Sequence, residues 1–256
     1  MCWLVYAPKG TIIPFALAED AYKRNDDAFG VMFYDHGCKR LQTVKIIPKN
    51  FEDIKRILKR TKGFNRAIHW RMRTSGGHDL ANAHPFQVLN KREHGANIWL
   101  MHNGILPSSI VTPEKNRSDT NHLVGDILKP MLQHNPALLH NLEFQAMLSN
   151  YIGNNNRLIL ADDTGAFIII NDETGEWLKK EKVWISNTYA IPNAYSLGFD
   201  LFGADASFDK KTRAAYTPRD NYTPLVPAST LKRYNGTAFN NTPVRDYTNM
   251  VYSNGA

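Results

Sequence analysis

Cysteine is scarce in this 256-residue chain, which has only Cys2 and Cys38. Two thiols build no disulfide framework, so a reducing, cytoplasmic setting is expected. No apolar run approaches the roughly 18 residues that span a bilayer. Lys9 and Gly10 interrupt the first apolar stretch too early for a signal-peptide core, so no membrane partner is expected. There is no phosphate-cradling glycine loop and no Cys/His set at metal-ligand spacing. No cofactor and no metal are therefore expected. What is present is ordinary for a globular protein: 43% hydrophobic and 21% charged residues. The length suits one large domain, or one domain with an extension. The net charge of +7 would suit an anionic partner, but it is dispersed along a helix and a tail, a weak signal for nucleic acid.

The chain is organised around its start, Met1-Cys2-Trp3-Leu4-Val5-Tyr6. Removal of Met1, which a small second residue permits, would leave Cys2 with a thiol and a free α-amine on one residue. The amine, with a reference pKa of about 7.7–8.0, is a base near neutrality and within reach of the sulfur. One residue then carries both halves of an activated nucleophile. If Met1 is retained, the amine is acylated and the base is lost. The plainer alternative is a buried small hydrophobe at the head of a strand.

In chain order, residues 2–7 read as a strand ended by Pro8 and Gly10, Ala28–Asp35 as a second and 42–47 as a third. Phe51, Ile54, Ile57 and Leu58 follow helical spacing, with Lys55, Arg56, Lys59 and Arg60 on other faces. This predicts an amphipathic helix near 51–62 whose basic residues form a solvated face. Residues 67–74 read as a strand entering Gly76-Gly77, and 86–89 and 98–102 as two more. Ser118 is a candidate cap for a helix over 119–133, with Leu123, Ile127 and Leu128 inward and Pro130 expected to kink or shorten it. Another helix is expected over 136–151. Short strands at 157–161, 166–171, 176–180 and 183–186, separated by Asp-Thr-Gly and Glu-Thr-Gly turns, read as an antiparallel meander.

From about Asn187 the texture turns to Asn, Thr, Tyr and Pro without periodicity. Residues 209–256 hold seven Lys/Arg and three acids, hence +4, with interleaved Tyr216, Tyr222, Tyr234, Phe239, Tyr247 and Tyr252. Basic and aromatic residues together can grip single-stranded nucleic acid. The favoured reading is an irregular extension, residues 191–256, laid over a domain of residues 1–190.

A thiolate amidase acting on glutamine needs more than a cysteine. It needs a planar Arg fork for the substrate carboxylate, an anion for the ammonium group, and donors aimed at the developing oxyanion. Candidates stand in Arg24-Asn25-Asp26-Asp27-Ala28-Phe29-Gly30, Arg71-Met72-Arg73-Thr74-Ser75-Gly76, Asn82-Ala83-His84-Pro85-Phe86, His102-Asn103-Gly104 and Ser118-Asp119-Thr120. In this order behind Met1-Cys2, over roughly residues 2–190, these segments resemble class II glutamine amidotransferase domains of the N-terminal-nucleophile hydrolase superfamily. Trp3, where synthase-fused members often have Gly, and His84-Pro85-Phe86 look more like the stand-alone branch. Asn121 stands where many members have Glu.

The resemblance implies an α+β fold: a four-layer α/β/β/α sandwich of two antiparallel sheets. It implies Cys2 as nucleophile with its α-amine as base, a thioester intermediate, and an oxyanion hole from the Asn103 side chain and the Gly104 N–H. Arg71 would clamp the substrate carboxylate, Asp119 its ammonium, and Thr74 and His84 would support the pocket. Strand alternation puts Arg73 on the same face as Arg71, although the spacing to Thr74 and Gly76 favours Arg71. The expected activity is hydrolysis of the glutamine side-chain amide, with ammonia passed to a separate acceptor synthase, since no synthase domain follows. Two alternatives are hydrolysis of another γ-glutamyl amide, and a non-catalytic binding protein that keeps the fold.

Overall fold

The computed structural model describes residues 2–74, 76–110 and 116–189. Whether Met1 is removed, and the extension over 191–256, lie outside the described residues.

Two antiparallel sheets form the centre. The first contains β1 (Trp3–Ala7), β2 (Ala28–Asp35), β3 (Arg40–Ile46), β4 (Arg66–Arg71), β9 (Glu176–Leu178) and β10 (Val183–Ile185), in the order β3-β2-β4-β1-β10-β9. The second contains β5 (Phe86–Leu89), β6 (Ile98–Asn103), β7 (Arg157–Asp162) and β8 (Phe167–Ile170), in that order. Successive side chains on a strand point to opposite faces, and the sequence uses both faces. Trp3, Val5, Val31, Ile68, Trp70, Val183 and Ile185 pack on α1 (Phe15–Arg24) and α2 (Phe51–Thr61) through Leu17, Ala18, Ala21, Ile54 and Leu58. Leu4, Tyr6, Met32, Ala67 and Trp184 face the second sheet, against Met101, Ile159, Phe167 and Ile169. The far face of that sheet, with Leu100, Leu158, Leu160 and Ile168, packs on the remaining helices through Leu123, Leu128, Phe144 and Leu148. Four layers result, helices outside and two sheets within: an α+β sandwich.

The parity of these strands positions the site. Residues 2, 4 and 6 share the inter-sheet side of β1, and 67, 69 and 71 that of β4. Residues 184 and 186 share that side along β10, and 101 and 103 along β6. Trp3 pairs with Trp70 and Ala28 with Arg71, so Cys2 and Arg71 lie at the same sheet end.

Several local expectations are corrected. The helix over 119–133 is not one α-helix. It runs as α4 (Asp119–His122), a π-helical segment (Leu123–Leu128) and α5 (Lys129–Leu132). Pro130 neither ends nor shortens it. The wider turn before it, in which Lys129 N–H donates to Val124 O, accommodates the residue that has no N–H and would crowd the preceding turn. The expected helix over 136–151 divides into a 3-10 turn (Pro136–His140) and α6 (Leu142–Ile152), because the Asn141 side chain caps Phe144 N–H. The expected meander also divides: β7 and β8 pair in one sheet, β9 and β10 in the other. The crossing occurs at Asn171, a left-handed residue whose side-chain amide donates to Gly153 O and Asn156 O. The strand expected over 67–74 stops at Arg71. The α1 helix and the short α3 (Lys91–His94) were not expected from periodicity.

Candidate active site

Cys2 sits just before β1, half-buried, with its thiol donating to Met72 O at 3.4 Å. Burial pushes the Cys2 pKa up. The Arg71 guanidinium acts against that shift and the Asp119 carboxylate with it, so both charges reach the sulfur. A thiol held neutral in this way needs a base when it reacts.

Arg71 ends β4 at 3% exposure, and its Nη1 donates to Gly77 O at 3.0 Å. Burial pulls its pKa down, while Cys2, Asp27 and Asp79 pull it up. Arg73, by contrast, is exposed. Its backbone N–H donates to Asp27 Oδ2 at 2.6 Å, which draws the chain out of the sheet and ends the alternation that would have made the two arginines equivalent. Thr74 is exposed. Asn82, which had no assigned role, is buried and ties its own segment to the start of α4: its Oδ1 accepts Ser118 N–H at 2.9 Å and its Nδ2 donates to Asn116 O at 3.0 Å.

Asn103 ends β6 at 1% exposure, and its side-chain amide lies 2.9 Å from Ser186 Oγ. Gly104 follows with φ of +145°, and a Cβ there would come 2.2 Å from Asn156 Oδ1. Both the backbone angle and the space require glycine. Asp119 is more than a free anion. Its Oδ2 accepts Leu106 N–H at 3.0 Å and its Oδ1 accepts Thr120 N–H at 2.8 Å. It thus ties the segment after Gly104 to the start of α4.

His102 lies beneath this loop. Asn156 Nδ2 donates to Ile152 O, which leaves Asn156 Oδ1 to accept from His102 Nε2 at 2.9 Å. His102 Nδ1 then accepts from Thr120 Oγ1 at 2.8 Å, and the ring is fixed as the neutral Nε2–H tautomer. His69 Nε2 donates to His102 O at 3.0 Å, and the His69 ring stacks on His84 with centroids 3.9 Å apart. Neither His84 nitrogen has a hydrogen-bond partner. The His84 backbone packs on β2: its carbonyl lies 1.9 Å from where a Gly30 Cβ would be, so Gly30 lets this loop press onto the strand.

Burial lowers the pKa of all three rings, of His69 to about 3 and of His84 well below its usual value. The sign for stability follows. The unfolded chain takes up these protons as pH falls through about 6.5, and the folded chain does not. Stability is full above that pH and is lost progressively toward pH 3. At pH 5 the His69 ring alone costs about 2 kcal/mol. The urea midpoint should therefore fall between pH 7.5 and pH 5, and His84→Leu should remove part of the difference. An undiminished difference in that variant would show that His84 does not carry it.

Among the described residues, no group of three or more His, Cys, Asp or Glu side chains is placed to hold a metal ion, and no helix is long and apolar enough to cross a membrane. Arg71 and Asp119 thus act on Cys2, Asn103 is joined through Ser186 to Leu4, His84 and His102 are buried, and Thr74 stands exposed. The sequence reasoning passed over Asn82 and Ser186. Asn82 lay within a quoted motif, while Ser186 carried no local signal.

No family model and no curated protein sequence matches the chain. Among solved structures it is similar to glutamine phosphoribosylpyrophosphate amidotransferase from B. subtilis, complexed with ADP and GMP, at 16% identity and a TM-score of 0.43. That match covers 74% of this chain and 42% of the other. A structure described as the allosteric regulatory enzyme of purine biosynthesis gives 16% identity, a TM-score of 0.44 and the same coverages. A glutamine aminotransferase class-II domain protein from Silicibacter pomeroyi gives 16% identity and a TM-score of 0.36, over 72% of this chain and 87% of that one. The chain spans less than half the length of the first two, and identities and TM-scores this low put no weight on function.

Proposed function

We propose that the chain is a class II glutamine amidotransferase domain. It hydrolyses the glutamine side-chain amide through a thioester on Cys2 and supplies ammonia to a separate acceptor enzyme in a reducing compartment. The observation that carries this reading is that Cys2 and Arg71 lie at one end of the first sheet, that Asn103 is joined through Ser186 to Leu4, two residues from Cys2, and that the Arg71 and Asp119 charges are both felt at the sulfur. The order of motifs behind Met1-Cys2 supports it independently.

In this mechanism the α-amine of Cys2, freed by removal of Met1, takes the thiol proton. The sulfur attacks the amide carbon, and the Asn103 side chain and Gly104 N–H stabilise the oxyanion. The carbon–nitrogen bond breaks as the ammonium returns its proton to the leaving ammonia. Water, deprotonated by the same amine, then cleaves the thioester to give glutamate. Arg71 and Asp119 hold the substrate carboxylate and ammonium, and His84 and Thr74 border that pocket.

The test is release of ammonia and glutamate in equal amounts from free glutamine, with γ-glutamyl amides compared in parallel. Preference for a γ-glutamyl amide would move the substrate assignment without moving the chemistry. Thiol labelling without turnover of any of them would favour a binding protein. Two variants separate the roles. Arg71→Lys loses the bidentate fork and should raise KM by about tenfold or more, with a smaller effect on kcat. Asp119→Asn loses the charge and one of its two backbone acceptor sites. It should raise KM and also lower kcat, because the loop after Gly104 loosens. A pure KM effect would contradict that second role.

A further inference from the structure

Ser186 follows β10 and shares with Trp184 the side that faces the second sheet. Its backbone N–H donates to Leu4 O at 2.8 Å, and its hydroxyl accepts Leu4 N–H at 3.0 Å. The same hydroxyl lies 2.9 Å from the Asn103 side-chain amide. Asn187 Nδ2, 3.3 Å away, is bonded more closely to the Cys2 carbonyl, at 3.0 Å. Ser186, Leu4 and Asn103 are at most 1% exposed, so bulk solvent does not reach these groups.

A hydroxyl offers one donor and two acceptor lone pairs. With Asn103 Nδ2 turned toward it, Ser186 would face three N–H donors, and Asn103 Oδ1 would be buried without a partner. Turning the amide by 180° removes both faults. The lone pairs of Ser186 then take Leu4 and Asn187, and its O–H donates to Asn103 Oδ1. Asn103 Nδ2 then takes the buried position where the oxygen found no donor.

We propose that Ser186 is a positioning residue: its hydroxyl, anchored to β1 at Leu4, holds Asn103 by its oxygen and so reserves the amide N–H for an oxyanion formed at Cys2. Leu4 stands two residues from Cys2, and Asn187 binds the Cys2 carbonyl. The 186–187 pair therefore registers the donor from one sheet against the nucleophile strand of the other. This inference rests on the amide hydrolysis proposed above.

Two measurements test it. Neutron diffraction from the perdeuterated full-length protein distinguishes amide nitrogen from oxygen without substrate. The expected result is Asn103 oxygen facing Ser186, with the hydroxyl deuteron between them; an ND2 group facing Ser186 overturns the proposal. In kinetics, Ser186→Ala should lower kcat for glutamine about 10- to 100-fold, less than the ~10²–10³ lost with the donor itself. KM should change little. Alkylation of Cys2 by iodoacetamide, a displacement with no oxyanion, should keep its rate, and Ser186→Thr should restore part of kcat. An unchanged kcat in Ser186→Ala, or an equal loss in alkylation, overturns the proposal. A wild-type protein that hydrolyses no amide would sink the functional reading, while the diffraction result would still decide the role of Ser186.

Discussion

Cys2→Ala is expected to abolish amide hydrolysis, and Cys38→Ala to leave it nearly intact. The two thiols differ in place as well as exposure. Cys38 is exposed in the turn between β2 and β3, with its sulfur 3.9 Å from Asp35 O. Arg71 pairs with Ala28 at the other end of β2, and the seven residue steps from Ala28 to Asp35 span roughly 24 Å at about 3.4 Å each. Cys38 therefore cannot stand in for Cys2. Because Cys2 precedes the first strand and makes one weak bond to Met72 O, its replacement by Ala should leave the fold intact. An unchanged melting temperature with no ammonia release is the expected pair of results. Residual turnover in Cys2→Ala would place the chemistry elsewhere.

Asn103→Ala carries the second-largest expected effect, a fall in kcat of about 10²–10³, or about 2.7–4 kcal/mol of transition-state stabilisation. Its side chain is assigned to charge that exists only after attack has begun, so KM should change little. This separates it from Arg71→Lys, which acts on a part of the substrate that keeps its charge throughout. The substitution also removes a buried contact to Ser186, so the melting temperature should be measured beside the rate. A loss that appeared in KM alone would remove Asn103 from the oxyanion site.

The layering was legible only through the resemblance, because strands buried on both faces, such as Trp3–Ala7 and Phe167–Ile170, show no polar–apolar alternation. Ala28–Asp35 and Phe86–Leu89 match their expected bounds, since each is a short β-rich run with turn residues beyond. Where the sequence misled, long-range contacts decided. Arg71 and Arg73 share a parity that holds only while the strand lasts, and Asp27, 46 positions before Arg73, ends it. The α1 helix rests on Leu17, Ala18 and Ala21, a narrow and weakly apolar stripe that periodicity does not single out. Ser186 could not be found locally, because its meaning lies in being opposite Leu4 and Asn103, about 180 and 80 positions away. The two segments proposed as the clamp, by contrast, are contiguous in sequence, and Asn82 links them by bonding Ser118 N–H while lying against Gly76.

The most direct test of the central claim is the mass of the N-terminal peptide of the purified chain, with and without an electrophilic glutamine analogue. The account predicts a peptide that begins at Cys2, gains the mass of one adduct, and is protected by excess glutamine. A turnover-competent protein that retains Met1, or labelling at Cys38 while Cys2 stays unmodified, would contradict it.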